Sequence, residues 1–525
     1  MTAADSDKRG SKDMNKFVSK LGSAFRRSKP KLSSDAVMAL VVGLIIVFNV
    51  IVYALTETFG LFLYSQPTVD FTLSGATDEL FSEPIEDGER VTVMFCQSEE
   101  DVSSSSTGRY VLETARRFAE RYPNFVELEF VNIITKRNSK GEPVDLSKYQ
   151  TVYEETGVAS KIYKTSVIFA NGDNFKVLTD ASDEGYANFF TLDANGYSIS
   201  YNGEEMMASM INWVLTKNDE HKTAYFTTFH GEVADIGIGN MLASAGYNVD
   251  TIDLRKREVP DDAGIVIISN PKKDFERAME GSSVRTEIER LRTYIQNGGK
   301  IYVAIDPYGE KLNVLEGLLA EFGISISEAV NEDGKILRNI VRDTRNSVST
   351  DNFTIVADFA DSETAGKISD TVKKYSDKGV KVQECAALSL SGSAEAVIVS
   401  SSASSTYAGK NETGRDGGYC LGAVGSYVNE EGARGQIFVT AGVHLTATEA
   451  LVSDGYANRP FVYSLFEHVF GAEKLPYGCN SVNYDTDSLE DLTMGKARLY
   501  TLVIALIPTS VAVTGAFVIV RRKNR

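Results

Sequence analysis

The tripeptide His230-Gly231-Glu232 carries side chains that can do acid–base chemistry. It follows residues 223–227, which we predict to be a β-strand, and doubly wound sheets bind ligands at the carboxyl ends of their strands. A histidine and a nearby glutamate can act as a general base and its orienting partner. However, no GxSxG sequence is present, so an acyl-transfer triad lacks a nucleophile. We therefore predict a ligand or partner contact at this loop and no catalytic residue.

A second candidate contact site, Asp306-Pro307, follows the apolar run 301–305. An apolar strand that ends in aspartate resembles a nucleotide-binding strand, but the chain has no GxxxxGK[ST] phosphate loop. The sequence Gly298-Gly299-Lys300 lies where a predicted helix ends, which is the wrong context for such a loop. The chain is therefore predicted not to hydrolyse ATP by itself, and Asp306-Pro307 to be a strand-terminating turn.

The histidines and cysteines show no metal-binding spacing. There are four of each, without an HExxH or CxxC sequence: His221, His230, His444, His468, Cys96, Cys385, Cys420 and Cys479. We predict no metal site and no cofactor. Cys96 ends a predicted strand, where a lone cysteine usually serves as a small buried apolar residue.

Two α/β regions are predicted to position these residues. Residues 66–220 contain a strand at 91–96, a helix at 110–121, a strand at 125–131, a hairpin at 166–179 and a helix at 204–217. This order is that of a thioredoxin-like domain.

Residues 221–477 continue the alternation of strands and helices. Strands are predicted at 223–227, 248–253, 264–269, 301–305, 394–399 and 436–440, and helices at 239–245, 283–296 and 458–470. Such alternation indicates a doubly wound parallel sheet, as in flavodoxins and class I amidotransferases.

Apolar segments near both termini predict a membrane protein. Residues 36–55 and 499–520 are uncharged and long enough to cross a bilayer as helices. The flanking residues 1–35 and 521–525 are basic, so we predict both to be cytoplasmic tails. Residues 56–498 would then lie outside the cytoplasm, with residues 478–498 as a juxtamembrane linker. A signal peptide is the competing interpretation of the first segment, but no small-x-small cleavage site follows it.

The predicted extracytoplasmic part is acidic. Residues 56–498 contain 41 Lys and Arg against 68 Asp and Glu, and the whole chain has a net charge of −18. Such a surface repels phosphate backbones, so we predict no nucleic-acid partner.

Several stretches together resemble the GldG-like (gliding-motility-associated) auxiliary proteins of ABC transport systems. The strand that ends in Phe229-His230-Gly231-Glu232 resembles the family's GHGE sequence, with Phe229 in the place of the first glycine. The remaining similar stretches, which extend the resemblance over nearly the whole chain, are residues 69–74, 201–211, 260–271, 294–307 and 507–522.

This resemblance implies a non-enzymatic, membrane-anchored subunit that works with an ABC ATPase and an ABC-2-type permease on separate chains. Its extracytoplasmic domains would bind a substrate, an envelope component or another subunit. A cell-envelope scaffold that binds polysaccharide is the alternative, and a hydrolase or amidotransferase-like enzyme centred on His230 is a further one.

Overall fold

The computed structural model describes residues 71–483 except for 84, 87, 152–158, 180–185, 193–197, 218–219, 234 and 277–284. The described residues belong to one compact unit of the chain. They form a mixed α/β fold in which two sheets contain most of the strands. We call them the first sheet and the second sheet, in chain order.

The first sheet is built by residues 71–217. This part contains helices α1 Gly75–Leu80, α2 Glu99–Ser104, α3 Gly108–Arg121 and α4 Gly203–Leu215, and strands β1 Val91–Phe95, β2 Val126–Asn132, β3 Arg137–Asn138, β4 Val167–Asn171, β5 Asn174–Leu178, β6 Phe190–Leu192 and β7 Ser198–Tyr201. Single 3-10 turns occur at Leu146–Tyr149 and Ala187–Phe189.

The strand order of the first sheet is β3-β2-β1-β4-β5. Strand β1 pairs parallel with β2 and antiparallel with β4, and β4 and β5 form the predicted hairpin. The parallel pair is connected through α3, whose buried residues Val111, Leu112 and Phe118 recur at helical spacing and share one core cluster with buried residues of β1 and β2. The predicted order of strands and helices is therefore found in this part of the chain.

The rest of the described chain builds the second sheet and two smaller sheets, and its last strand joins β6 and β7 in a further small sheet. Its helices are α5 Ile236–Ser244, α6 Glu287–Gln296, α7 Asn313–Glu321, α8 Glu363–Tyr375, α9 Thr448–Val452 and α10 Asn458–His468. Its strands are β8 Thr223–Thr227, β9 Asn248–Ile252, β10 Ala263–Ser269, β11 Lys300–Ala304, β12 Ile324–Ile326, β13 Glu328–Val330, β14 Ile336–Arg338, β15 Ile340–Asp343, β16 Thr354–Phe359, β17 Val380–Gln383, β18 Leu388–Leu390, β19 Glu395–Val399, β20 Ser404–Ala408, β21 Asn411–Gly414, β22 Cys420–Val428, β23 Arg434–Thr440 and β24 Val482–Asn483.

The second sheet is half parallel and half antiparallel. Its strand order is β17-β16-β19-β22-β23-β11-β10-β8-β9. The last five strands in this order, β23, β11, β10, β8 and β9, are parallel to one another. Strand β22 runs antiparallel to β23 because the five residues 429–433 join them directly as a hairpin. The prediction of a wholly parallel sheet is therefore corrected: it holds for one half, and the predicted strand 394–399 lies in the antiparallel half as β19.

Strand β10 shows why the sheet is buried on both faces. Ile265 and Ile267 pack into the core on one face, whereas Val266 and Ile268 pack into the core on the other. All four are fully buried, as expected for a parallel strand covered by helices on both sides. The carboxyl ends of β8, β9, β10 and β11 thus share one edge of a buried parallel sheet.

The two ends of the described chain meet at the start of α4. The buried Glu204 carboxylate accepts hydrogen bonds from Ser74, Thr77 and the Asn480 amide, at 2.5 to 2.9 Å. Strand β24 then pairs with β7, so residues 479–483 pack beside the first sheet. This part of the predicted linker 478–498 is therefore ordered structure.

The two-span membrane-anchored architecture is not supported. Within the described ranges, no helix combines the length and apolar character needed to cross a membrane. The longest, α3, has 14 residues, or about 21 Å at 1.5 Å per residue, and is amphipathic, whereas a span needs about 20 apolar residues. The predicted spans 36–55 and 499–520 lie outside the described residues. The predictions of a membrane protein, of cytoplasmic termini and of an extracytoplasmic segment 56–498 are corrected accordingly, and the α/β fold stands.

Candidate functional site

The His230 side chain lies between two carboxylates just beyond the end of β8. Its Nδ1 is 2.9 Å from Glu232 Oε1 and its Nε2 is 3.0 Å from Glu287 Oε1. The ring also stacks on Phe275 with 3.9 Å between ring centroids, and only 4% of the residue is exposed. We call His230, Glu232, Glu287 and Phe275 the histidine clamp.

The histidine clamp favours the charged imidazolium. Burial acts to lower the pKa of His230, but the hydrogen bonds and negative charges of Glu232 and Glu287 outweigh it and raise the pKa to about 9. Burial likewise acts to raise the pKa of Glu232, and the contact with His230 overcomes it and leaves that pKa below its ordinary value. A histidine that holds its proton at neutral pH has no free nitrogen with which to accept another.

Lys272 connects the predicted contact residues. The backbone N–H groups of Lys272 and Lys273 each donate to the His230 carbonyl at 2.8 Å. The Lys272 Nζ donates to Asp306 Oδ2 and to Asn270 Oδ1, each at 2.7 Å. Gly231 has a φ of +71°, and a Cβ there would lie 3.3 Å from the Lys272 Cβ, so this close approach suits glycine.

The Asp306-Pro307 sequence forms the predicted turn after β11. Burial acts to raise the pKa of Asp306, and the hydrogen bond and charge of Lys272 outweigh it and lower that pKa. The Asp306 backbone carbonyl accepts from the Arg338 guanidinium, which also forms a 2.8 Å ion pair with Glu316. The aspartate is therefore held by protein groups on both its side chain and its backbone.

Asp235 is a further, half-buried acid at this edge, and it was not among the predicted contact residues. Its Oδ1 accepts from the Ile238 N–H at 3.0 Å, which caps α5, and its Oδ2 accepts from the Thr446 hydroxyl. Burial raises the pKa of Asp235. The available signal was an aspartate directly before an apolar helical run. Glu287 and Lys272 gave no such signal, because only folding brings them to residue 230.

Apolar side chains are exposed beside the histidine clamp. Phe229, Val233, Ile236 and Val249 have 57%, 50%, 68% and 46% of their surfaces exposed. They line an open cavity of about 520 Å³ at the carboxyl ends of β8 and β9. We call these four residues the strand-end patch. Large contiguous apolar surfaces are uncommon on isolated soluble proteins and mark interaction sites.

Phe229 is displayed by an unusual backbone conformation. Its φ is +81°, in the left-handed region that is costly for a bulky residue. The Arg255 guanidinium lies over the ring at 3.9 Å from its centroid, and Asp253 holds Arg255 by an ion pair of 2.9 Å. The next residue, His230, is fixed in the histidine clamp. The clamp and the cation–π contact thus hold the ring toward solvent.

The fold disfavours the reactive thiolate form of the four cysteines. Burial raises the pKa of each thiol to about 12: Cys96, Cys385, Cys420 and Cys479. Cys96 is fully buried at the end of β1, as the sequence predicts. Among the described residues, no group of three or more His, Cys, Asp and Glu side chains is placed to hold a metal ion.

Comparisons with known proteins add no assignment of function. No family model matches the chain, and no curated protein matches it. Among solved structures, the chain is similar to one described as mmIFT52 N-terminal domain, with 18% identity over 47% of this chain and 96% of that one and a TM-score of 0.34. It is also similar to a putative ThuA-like protein from Bacteroides uniformis, with 11% identity, 49% and 96% coverage and a TM-score of 0.27. PurLQS from Thermotoga maritima gives 14% identity, 47% and 99% coverage and a TM-score of 0.25. Similarities this weak carry no argument about activity, and the GldG-like resemblance stays a prediction.

Proposed function

We propose that this chain is a non-enzymatic accessory subunit of an ABC transport system, which binds a partner subunit through the strand-end patch. One observation carries the proposal. At the sheet edge where a ligand would bind, the polar side chains are bonded to one another, while the apolar side chains of Phe229, Val233 and Ile236 face solvent. Apolar contact is therefore the interaction that this edge offers.

The polar groups at the edge favour a structural role over chemistry. His230 carries its proton between two carboxylates, and Asp306 is neutralised by Lys272. A general base must accept a proton at working pH, and the raised pKa of His230 opposes this. These contacts instead stabilise the loop that carries Phe229.

The strand-end patch has the features of a protein-binding surface. Aromatic residues on a preorganised backbone contribute strongly to binding, because little freedom is lost when the partner docks. Phe229 is such a residue, with Ile236 and Val249 lining the same cavity. In the family that the sequence resembles, the partner would be the separate ATPase or permease chain.

Affinity capture of the full chain tests the proposal. We would tag the chain, solubilise cells gently and identify co-purifying proteins by mass spectrometry. The expected result is a stoichiometric ATPase and permease with the native chain, and at least about a tenfold smaller yield with the double variant Phe229→Ser and Ile236→Ser.

Val428→Ser provides the matched control. Val428 is 59% exposed at the end of β22, outside the strand-end patch. This variant should capture the same partners as the native chain. A native chain that isolates alone, or with an envelope polymer, contradicts the proposed function. Equal capture by the double variant contradicts the role of the strand-end patch.

A further inference from the structure

A second cavity lies between the last helix of the first-sheet region and the first helix of the second-sheet region. It has a volume of about 730 Å³ and lies between α4 and α5, and we call it the junction cavity. Its apolar lining includes Met206 and Met210 of α4 and Met241 of α5, with Phe190 and Leu451. Drug-sized ligands occupy cavities of about 300–1,000 Å³, so this space suits a small molecule.

Lys176 brings a positive charge into this apolar lining. Its Nζ lies 4.6 Å from the centre of the Trp213 ring and donates a 3.0 Å hydrogen bond to Asn248 Oδ1. No described carboxylate pairs with it. Burial lowers the pKa of Lys176, as expected for an ammonium group that has lost water without gaining an anion.

The other charged residues of the junction cavity neutralise each other. Glu205 is almost fully buried and forms an ion pair with Arg459. Its second oxygen accepts a hydrogen bond from the Tyr463 hydroxyl. The described lining therefore has one cation, Lys176, that is not matched by an anion.

We propose that the junction cavity binds a small amphipathic acid, with its apolar body among the methionines and its carboxylate on Lys176 Nζ. Flexible methionine side chains adapt to apolar groups of varied shape. A carboxylate would supply the charge partner that Lys176 lacks. The site goes beyond the proposed docking function, since Lys176 lies outside the strand-end patch, although Ile236 and Val249 line both cavities.

The chain provides its own reporter of binding. Trp213 lines the junction cavity and is the only tryptophan in the sequence. We would titrate the purified full chain with decanoate, below its micelle concentration, and follow Trp213 fluorescence and the heat of binding. Decanol serves as the uncharged probe and decylammonium as the cationic one. Decanoate should bind about tenfold more tightly than decanol, and decylammonium more weakly than both.

Two substitutions separate the charge from the cavity. Lys176→Met should lower decanoate affinity about tenfold and leave decanol affinity unchanged, whereas Lys176→Arg should retain most of the decanoate affinity. Ala243→Phe fills the lining and should weaken both probes. Lys140→Met, an exposed lysine of the first sheet region, is the matched control and should bind like the native chain.

Each remaining outcome overturns the proposal. Equal affinity for decanoate and decanol contradicts a charge-selective site, as does undiminished decanoate binding in Lys176→Met. Binding that survives Ala243→Phe, or no saturable binding of decanoate at all, contradicts occupation of the junction cavity. Thermal unfolding of each variant shows whether it is folded, and Lys176→Arg keeps the test decisive if Lys176→Met does not fold.

Discussion

His230 and Lys176 are both cationic side chains placed against an aromatic ring, yet their surroundings differ in one respect. His230 lies on Phe275 between the carboxylates of Glu232 and Glu287, whereas Lys176 lies over Trp213 without a described carboxylate partner. The pKa of His230 is raised and that of Lys176 is lowered.

This contrast distinguishes a structural charge from one that is available to a ligand. Burial disfavours both cations, so the sign of each pKa shift depends on the anions supplied by the fold. The histidine clamp satisfies its cation internally and stabilises a loop. The junction cavity leaves its cation for an external anion. Four predictions test the histidine clamp and its contrast with Lys176, in order of decreasing effect.

Removal of the His230 side chain should have the largest effect on the stability of the protein. His230→Ala leaves Glu232 and Glu287 buried without their positive partner, and loss of one member of a buried ion pair costs about 3–5 kcal/mol. Urea unfolding at pH 7 measures this loss of stability. His468→Ala is the control, since the half-buried His468 makes a 2.8 Å bond to Thr371 and only a 3.9 Å contact with a carboxylate, that of the exposed Glu467. This substitution should cost about 1 kcal/mol. Similar small losses in both variants would show that the clamp contributes little.

The pH dependence of stability should follow from the raised pKa of His230. Its folded-state pKa of about 9 exceeds its unfolded value of 6.5, so the folded protein binds the proton more tightly. The resulting stability is fully present below pH 6.5 and is lost as the pH rises through 9, by up to about 3 kcal/mol. Urea unfolding between pH 6 and 9.5 checks this, and His230→Gln should remove that part of the pH dependence.

The contribution of Lys176 to the pH dependence of stability should have the opposite sign and be smaller. Its folded-state pKa lies below the ordinary value of 10.5, so the native chain should gain stability relative to Lys176→Met as the pH rises toward 10.5. The same unfolding series, extended to higher pH, measures this difference. If the native chain instead loses stability relative to Lys176→Met over this pH range, Lys176 already has an anionic partner. The contrast with His230 would then fail.

The smallest of these effects concerns Phe229, which the histidine clamp holds at a φ of +81°. Glycine adopts this conformation without cost, whereas alanine keeps the strain and loses the contact with Arg255. Phe229→Gly should therefore be more stable than Phe229→Ala by about 1 kcal/mol in thermal unfolding. Equal stability of the two variants would indicate that the loop relaxes out of the left-handed conformation.

Several elements of the fold could be predicted because their pattern is local. The apolar run at Lys300–Ala304 and the turn between Val167–Asn171 and Asn174–Leu178 each determine their own structure through burial and turn chemistry. The direction of Glu395–Val399 could not be predicted in this way, because it depends on the hairpin that β22 makes with β23. Hydropathy likewise predicted spans at 36–55 and 499–520, which lie outside the described residues, and the described residues contain no helix that could cross a membrane.

The candidate site could likewise be predicted only in part. Proximity in sequence was sufficient to pair His230 with Glu232, and their position after a strand placed them at a sheet edge. The sequence indicated a base and its orienting partner, but it did not reveal the second carboxylate, Glu287, which changes the meaning of the pair.

Burial patterns and turn residues act over a few positions, so the sequence alone was sufficient to predict the loop that carries His230 and the strands and helices with clear periodicity, but not the elements between residues 309 and 392. Tertiary folding was needed to bring Glu287 and Phe275 around His230, and to place Lys176 over Trp213 without a described carboxylate. The physical reason is that the charge state of a buried group depends on neighbours at 3 to 5 Å in space, and these come from distant parts of the chain.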